Sequence, residues 1–128
     1  VSGLDAGKVY NSWPLMGDNF FPNDSTVNNL FTLTAFNDAS LVQFMHRNLA
    51  YIIFLFYLFI FLKIFLNKLS GLFNTVIIIG LLLVFQIVLG IFTLLSGAQI
   101  IISSMHQVSS ILLVTSSIYF LYLNNKSS

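Results

Sequence analysis

The sequence contains no cysteine. That absence excludes disulfides, thiolate metal sites, Cys-linked heme and cysteine nucleophiles together. Glutamate is missing as well, and the four acidic residues are Asp5, Asp18, Asp24 and Asp38. Charged residues make up only 7% of the chain, and five basic side chains leave a net charge of +1. So thin a basic complement makes no nucleic-acid footprint. The chain starts at Val1, with neither an initiator Met nor the basic, apolar, small-residue order of a signal peptide, and reads as a piece of a longer protein.

Hydrocarbon fills the space that charge leaves. Hydrophobic residues make up 57% of the 128, and the mean hydropathy of +0.91 lies far outside the range of a soluble domain of this length. The expected class is an all-α integral membrane protein built as a transmembrane helix bundle. Residues 1–40 are the polar exception: "GKVYNSWPLMGDNFFPNDST" holds both prolines, several turn-forming residues and boundary-type aromatics, so the segment reads as an extramembrane loop. Within it Val27, Leu30, Phe31 and Thr34 recur at three- and four-residue intervals. That spacing suits a short interfacial helix, and an irregular loop with scattered apolar contacts fits equally well.

Three apolar stretches follow, over residues 41–62, 73–95 and 100–123, each reaching the ~20 residues that cross ~30 Å of hydrocarbon. They are expected to be transmembrane helices, with Ser40 and Gln43 as an S-x-x-Q cap at the first. The short links "KIFLNKLSGL" and "SGAQ" make consecutive helices antiparallel neighbours. Lys63, Lys68 and Lys126 mark the ends expected to face the cytoplasm or matrix. Arg47 stands against this trend at the opposite side, where a local anionic partner is expected.

Two histidines stand at helix entrances, in "LVQFMHRNLAYI" and "SSMHQVSSILLV". Lys63 follows His46 by 17 positions, and Lys126 follows His106 by 20; those intervals span roughly 25 and 30 Å at helical rise. The two helices run the same way, so the imidazoles share a depth and are placed to grip one heme iron from opposite sides. Small and hydroxyl-bearing positions flank them: Ser109, Ser110, Leu113 and Ser117 beside His106, and Gln86, Gly90, Thr93 and Gly97 on the middle helix. Such faces also serve ordinary helix packing. For Arg47, a heme propionate and a lipid phosphate are equally good partners. Asp5 and Asp18 read as turn or cap residues, Met16 as a packing residue ahead of a weaker reading as a ligand, and Lys8, Tyr10 and Trp13 as loop residues within reach of a heme edge or anchored at the interface.

"GLDAGKVYNSWPLMGDNFFP", "LVQFMHRNLAYI", "QIVLGIFTLLSG" and "SSMHQVSSILL" occur in that order along nearly the whole chain. Together they resemble the second half of heme A synthases of the alphaproteobacterial and mitochondrial type. The resemblance implies half of an eight-helix enzyme that oxidises the C8 methyl of heme O to the formyl group of heme A for cytochrome oxidase. It implies that His46 and His106 ligate the iron of heme b, with Arg47 as a cofactor-binding neighbour, and that residues 1–7 end a preceding helix. The family's catalytic glutamate lies in its first half, so no catalytic residue is expected in this chain. Implied partners are heme O, heme A, lipid, heme O synthase and cytochrome oxidase assembly proteins. The implied location is the bacterial cytoplasmic membrane, or the mitochondrial inner membrane in a eukaryote. Two other classes remain at this point: a di-histidine b-type cytochrome that only transfers electrons, and a small non-heme subunit or assembly factor whose histidines pack.

Overall fold

The computed structural model describes residues 2–127. Among them the regular structure is helical throughout, apart from one isolated antiparallel bridge between Met16 and Asn19. Three long helices dominate: α1 (Ala39–Leu66), α2 (Ser70–Leu95) and α3 (Ile100–Ser127). At 28, 26 and 28 residues, each is about 40 Å long. All three are long and apolar enough to cross a membrane, and the chain is an integral membrane protein. The helices outrun the apolar stretches at several ends, because Lys63 and Lys126 continue the helical backbone while their charged heads reach the boundary. Much of the lateral surface is bare hydrocarbon, as at Ile52, Phe56, Ile78, Leu81, Ile111 and Leu112, which suits lipid as the solvent.

Before α1 the chain makes short 3-10 turns at Ser2–Leu4 and Ala6–Lys8, then at Val27–Phe31 and Leu33–Asn37. Val1, at the expected end of a preceding helix, lies outside the described residues. The apolar spacing around Val27 thus forms two 3-10 segments in place of one α-helical turn. The cap of α1 also differs from the S-x-x-Q expectation. Asp38, in the extended conformation that a cap needs, accepts from the backbone N–H of Ser40 (2.9 Å) and of Leu41 (3.1 Å). A carboxylate beats a hydroxyl there because its charge opposes the positive helix end. Ser40 is left free to donate to Asp24 Oδ2 at 2.6 Å, and Gln43 Nε2 to donate to the Tyr10 carbonyl at 3.0 Å.

The three helices do not pack alike along their lengths. At the lysine end, Ile64 of α1 and Leu72 and Val76 of α2 form a buried cluster, joined by Tyr57, Phe61 and Phe73 and by Phe120 and Leu123 of α3. The Tyr57 hydroxyl donates to the Val76 carbonyl at 3.1 Å. Gly80 makes room for it: a Cβ there would run into the Tyr57 oxygen. At the other end α2 and α3 stay together, through Gln86, Ser109 and His106, while a cavity separates α1 from them. The α2–α3 turn closes with Gly97 at φ 69°, which an L side chain rarely adopts.

Candidate functional site

The cavity has a volume of about 270 Å³ and lies at the loop end of the bundle. On α1, Gln43, His46, Arg47 and Ala50 line it, at the i, i+3, i+4, i+7 spacing of one helical face. From α2 come Gln86, Gly90 and Thr93, and from α3 His106 and Leu113. Gly7 and Trp13 of the leading loop complete the mouth.

The two imidazoles face this space with ring centres 6.4 Å apart and planes at 88°. With a metal–imidazole bond of about 2 Å on each side and about 1 Å from nitrogen to ring centre, trans ligands of one metal have centres about 6 Å apart. The observed separation would leave room for one metal between the rings. No cluster of three or more His, Cys, Asp or Glu exists among the described residues, so the donor set suits a metal whose remaining positions a macrocycle supplies. Gly90 leaves room beside His106, since a Cβ there would stand 3.2 Å from the imidazole Cε1.

Polar atoms without partners gather at the same place. Gln43 Oε1, Arg47 Nε, Thr93 Oγ1 and His106 Nδ1 are buried and unbonded, and so is Ser103 Oγ, one helical turn from His106. Each orphan costs on the order of 1–3 kcal/mol in an apolar setting. Four of these five belong to cavity-lining residues. The two imidazoles are the donors with which these residues would hold a heme iron.

Neighbouring bonds hold the site in shape. Gln86 Nε2 donates to the His106 carbonyl at 2.7 Å, and Ser109 Oγ donates to Gln86 Oε1, tying α2 to α3 at the level of the histidine. Arg47, for which an anionic partner was expected, instead donates to neutral loop carbonyls: Nη1 to Ser12 (3.0 Å) and Leu15 (3.2 Å), and Nη2 to Tyr10 (3.1 Å). Irregular loop carbonyls have no ladder to satisfy them, and the planar guanidinium fork reaches three at once.

Other expected residues fall outside the cavity. Ser110 and Ser117 bond back to carbonyls of their own helix, at Gln107 and Leu113. Gly97 lies in the α2–α3 turn against Asn11. Lys8 pairs with Asp5 at 3.0 Å, and Met16 is packed away at 1% exposure. The Tyr10 hydroxyl donates to Asp24 Oδ1 at 2.8 Å. Burial, then the Asp24 bond and charge, push the Tyr10 phenol up, while the Ser40 hydroxyl, foremost, holds the Asp24 carboxyl below its usual range. Gln43 is the lining residue that the sequence reading cast as a cap. Its spacing of three from His46 and four from Arg47 was the signal for a shared face.

Fold and site together define a membrane helix bundle that presents a histidine pair to a half-open cavity at the loop end. A family model described as cytochrome oxidase assembly protein, COX15-CtaA, matches residues 1–118. The chain belongs to this family. Proteins named heme A synthase are similar to it along almost its whole length: that of Pelagibacter ubique is 44% identical over 125 residues, covering 98% of this chain and 37% of that protein. Those of Rickettsia prowazekii (40% over 127 residues) and Rickettsia canadensis (43% over 131) each cover 98% of this chain and 38% of the relative. The chain thus spans little more than a third of the length of these curated relatives. No solved structure matches it.

Proposed function

We propose that this chain is the heme-binding C-terminal part of a heme A synthase, in which His46 and His106 hold the iron of heme b. The observation that carries the reading is the 6.4 Å separation of the two imidazoles, from different helices, in a chain of this family. When bound, the heme supplies one-electron transfer. The protein's own contribution is to bind, orient and exclude water. His46 and His106 fix the iron position, and Gln86 holds the depth of His106 through its carbonyl. Gly90 admits the His106 ring, and the unpartnered Nε of Arg47 is a donor for an acidic group such as a propionate.

The whole enzyme's reaction, oxidation of the heme O methyl to the heme A formyl group, is assigned to residues outside this chain. Asp5, Asp18, Asp24 and Asp38 lie in the loop or cap α1, and none lines the cavity. Heme O as substrate, heme A as product, and heme O synthase and cytochrome oxidase assembly factors as partners follow from the same reading. So does a bacterial cytoplasmic membrane, or mitochondrial inner membrane, with Lys63, Lys68 and Lys126 on the cytoplasmic or matrix side.

The test replaces the full-length gene with His46→Ala or His106→Ala versions and resolves the extracted hemes by chromatography. Heme A is expected to fall at least tenfold while heme O accumulates. Normal heme A in both strains rejects the synthase reading. Normal heme A in a deletion strain without a second copy instead favours a b-type cytochrome that only moves electrons.

A further inference from the structure

The face of α1 that carries His46 into the cavity also grips the leading loop. Arg47 and Gln43 together make four hydrogen bonds to three loop carbonyls, those of Tyr10, Ser12 and Leu15, across sequence separations of 32 to 37 residues. The Tyr10 carbonyl takes two of them, one from each side chain. Beyond this grip, Phe20 and Phe21 meet Phe44 of α1 edge-on at 5.7 and 5.0 Å.

The same loop reaches the other wall of the cavity. A Cβ on Gly7 would lie 3.4 Å from Ala98 Cβ, and one on Gly97 would lie 3.1 Å from Asn11 Nδ2, so residues 7–11 sit on the α2–α3 turn. The loop therefore spans the gap between α1 and the α2–α3 pair at the end where the helices are apart. Trp13, between the gripped carbonyls of Ser12 and Leu15, lines the cavity beneath it.

We propose that Arg47, with Gln43, is a positioning residue that fastens the Tyr10–Leu15 loop as a roof across the cavity, with Trp13 as its inner surface shielding the histidine pair from water. Heme enters this inference through the function proposed above; the fastening itself stands on the loop bonds alone. A guanidinium is suited to the task because its planar fork serves several fixed carbonyls, whereas an ammonium is a point charge on a flexible stem. Three of the four bonds come from Arg47, so its substitution removes most of the fastening.

The experiment uses the full-length protein in lipid nanodiscs, as parent, Arg47→Gln, Arg47→Lys and Trp13→Ala. Hydrogen exchange first follows the amides of Met16 and Gly17, which bond within the loop to Asn19 O and Ser12 Oγ. Arg47→Gln is expected to speed their exchange at least tenfold, with Arg47→Lys in between, whether or not heme is present. Stopped-flow reduction of the ferric heme by dithionite then reads access. It is expected to accelerate severalfold in Arg47→Gln and Trp13→Ala while the absorption spectrum stays low-spin. Unchanged loop exchange in Arg47→Gln overturns the proposal, as does faster exchange with an unchanged reduction rate. A parent whose heme is indifferent to His46→Ala and His106→Ala would count against the heme assignment, and the exchange result would still decide the fastening.

Discussion

The two ends of this bundle are built from the same three helices and by opposite means. At the lysine end, aliphatic and aromatic side chains fill the space, and the approach of Tyr57 on α1 to α2 rests on the absence of a side chain at Gly80. At the loop end α1 stands apart from the α2–α3 pair, amides, imidazoles and a guanidinium interrupt the aliphatic walls, and four cavity-lining residues have polar atoms without partners. Close packing is stable without a ligand. The gap at the loop end is walled mostly by aliphatic side chains, and its few polar side chains are costly where they lack partners. The contrast sets the loop end, where α1 stands off from its neighbours, against the lysine end, where it packs on them.

The comparison breaks most severely at Gly80. Gly80→Leu drives a side chain into the Tyr57 ring and is expected to cost about 3 kcal/mol or more, lowering the thermal midpoint of the full-length protein in detergent. Combining it with Tyr57→Ala should recover part of the loss, since the two positions touch. Full additivity would show that the lysine-end contact is not the one that matters. Gln86→Leu tests the loop end and should cost about 1 kcal/mol, the scale of polar bonds between membrane helices. It should weaken heme retention more than overall stability, because the bond it removes ends on the His106 carbonyl. Equal effects on both would make Gln86 a packing residue only.

The smallest effect belongs to the loop outside the membrane. The Asp24 carboxyl is held low by Ser40 and Tyr10. A depressed carboxyl contributes stability above its unfolded pKa of about 3.9 and loses it as pH falls through the lower folded value. Thermal midpoints should therefore decline more between pH 6 and pH 3 in the parent than in Asp24→Asn. Parallel declines would remove Asp24 from the account.

Much of this was legible in the sequence, and what was not has a physical reason. Long apolar runs announce membrane helices because nothing else tolerates so much exposed hydrocarbon, and the structure places α1, α2 and α3 over all three. The pairing of His46 with His106 followed from equal depth on co-directional helices. The partners of Arg47 did not, because they are backbone carbonyls more than 30 residues away, and a carbonyl leaves no trace in residue identity. Asp38 displaced Ser40 as the cap by one strong acceptor over a weaker one two positions on, a competition that a motif does not score. Gly80 likewise reads as an ordinary membrane glycine until Tyr57 is seen beside it.

The most direct measurement is electron paramagnetic resonance of the oxidised full-length protein, compared with its His46→Ala and His106→Ala variants. Two imidazoles on one ferric iron with planes near the observed 88° give a low-spin signal of the highly anisotropic type, and that signal should vanish in both variants. If a low-spin signal persists at full strength in either variant, these two residues do not share an iron.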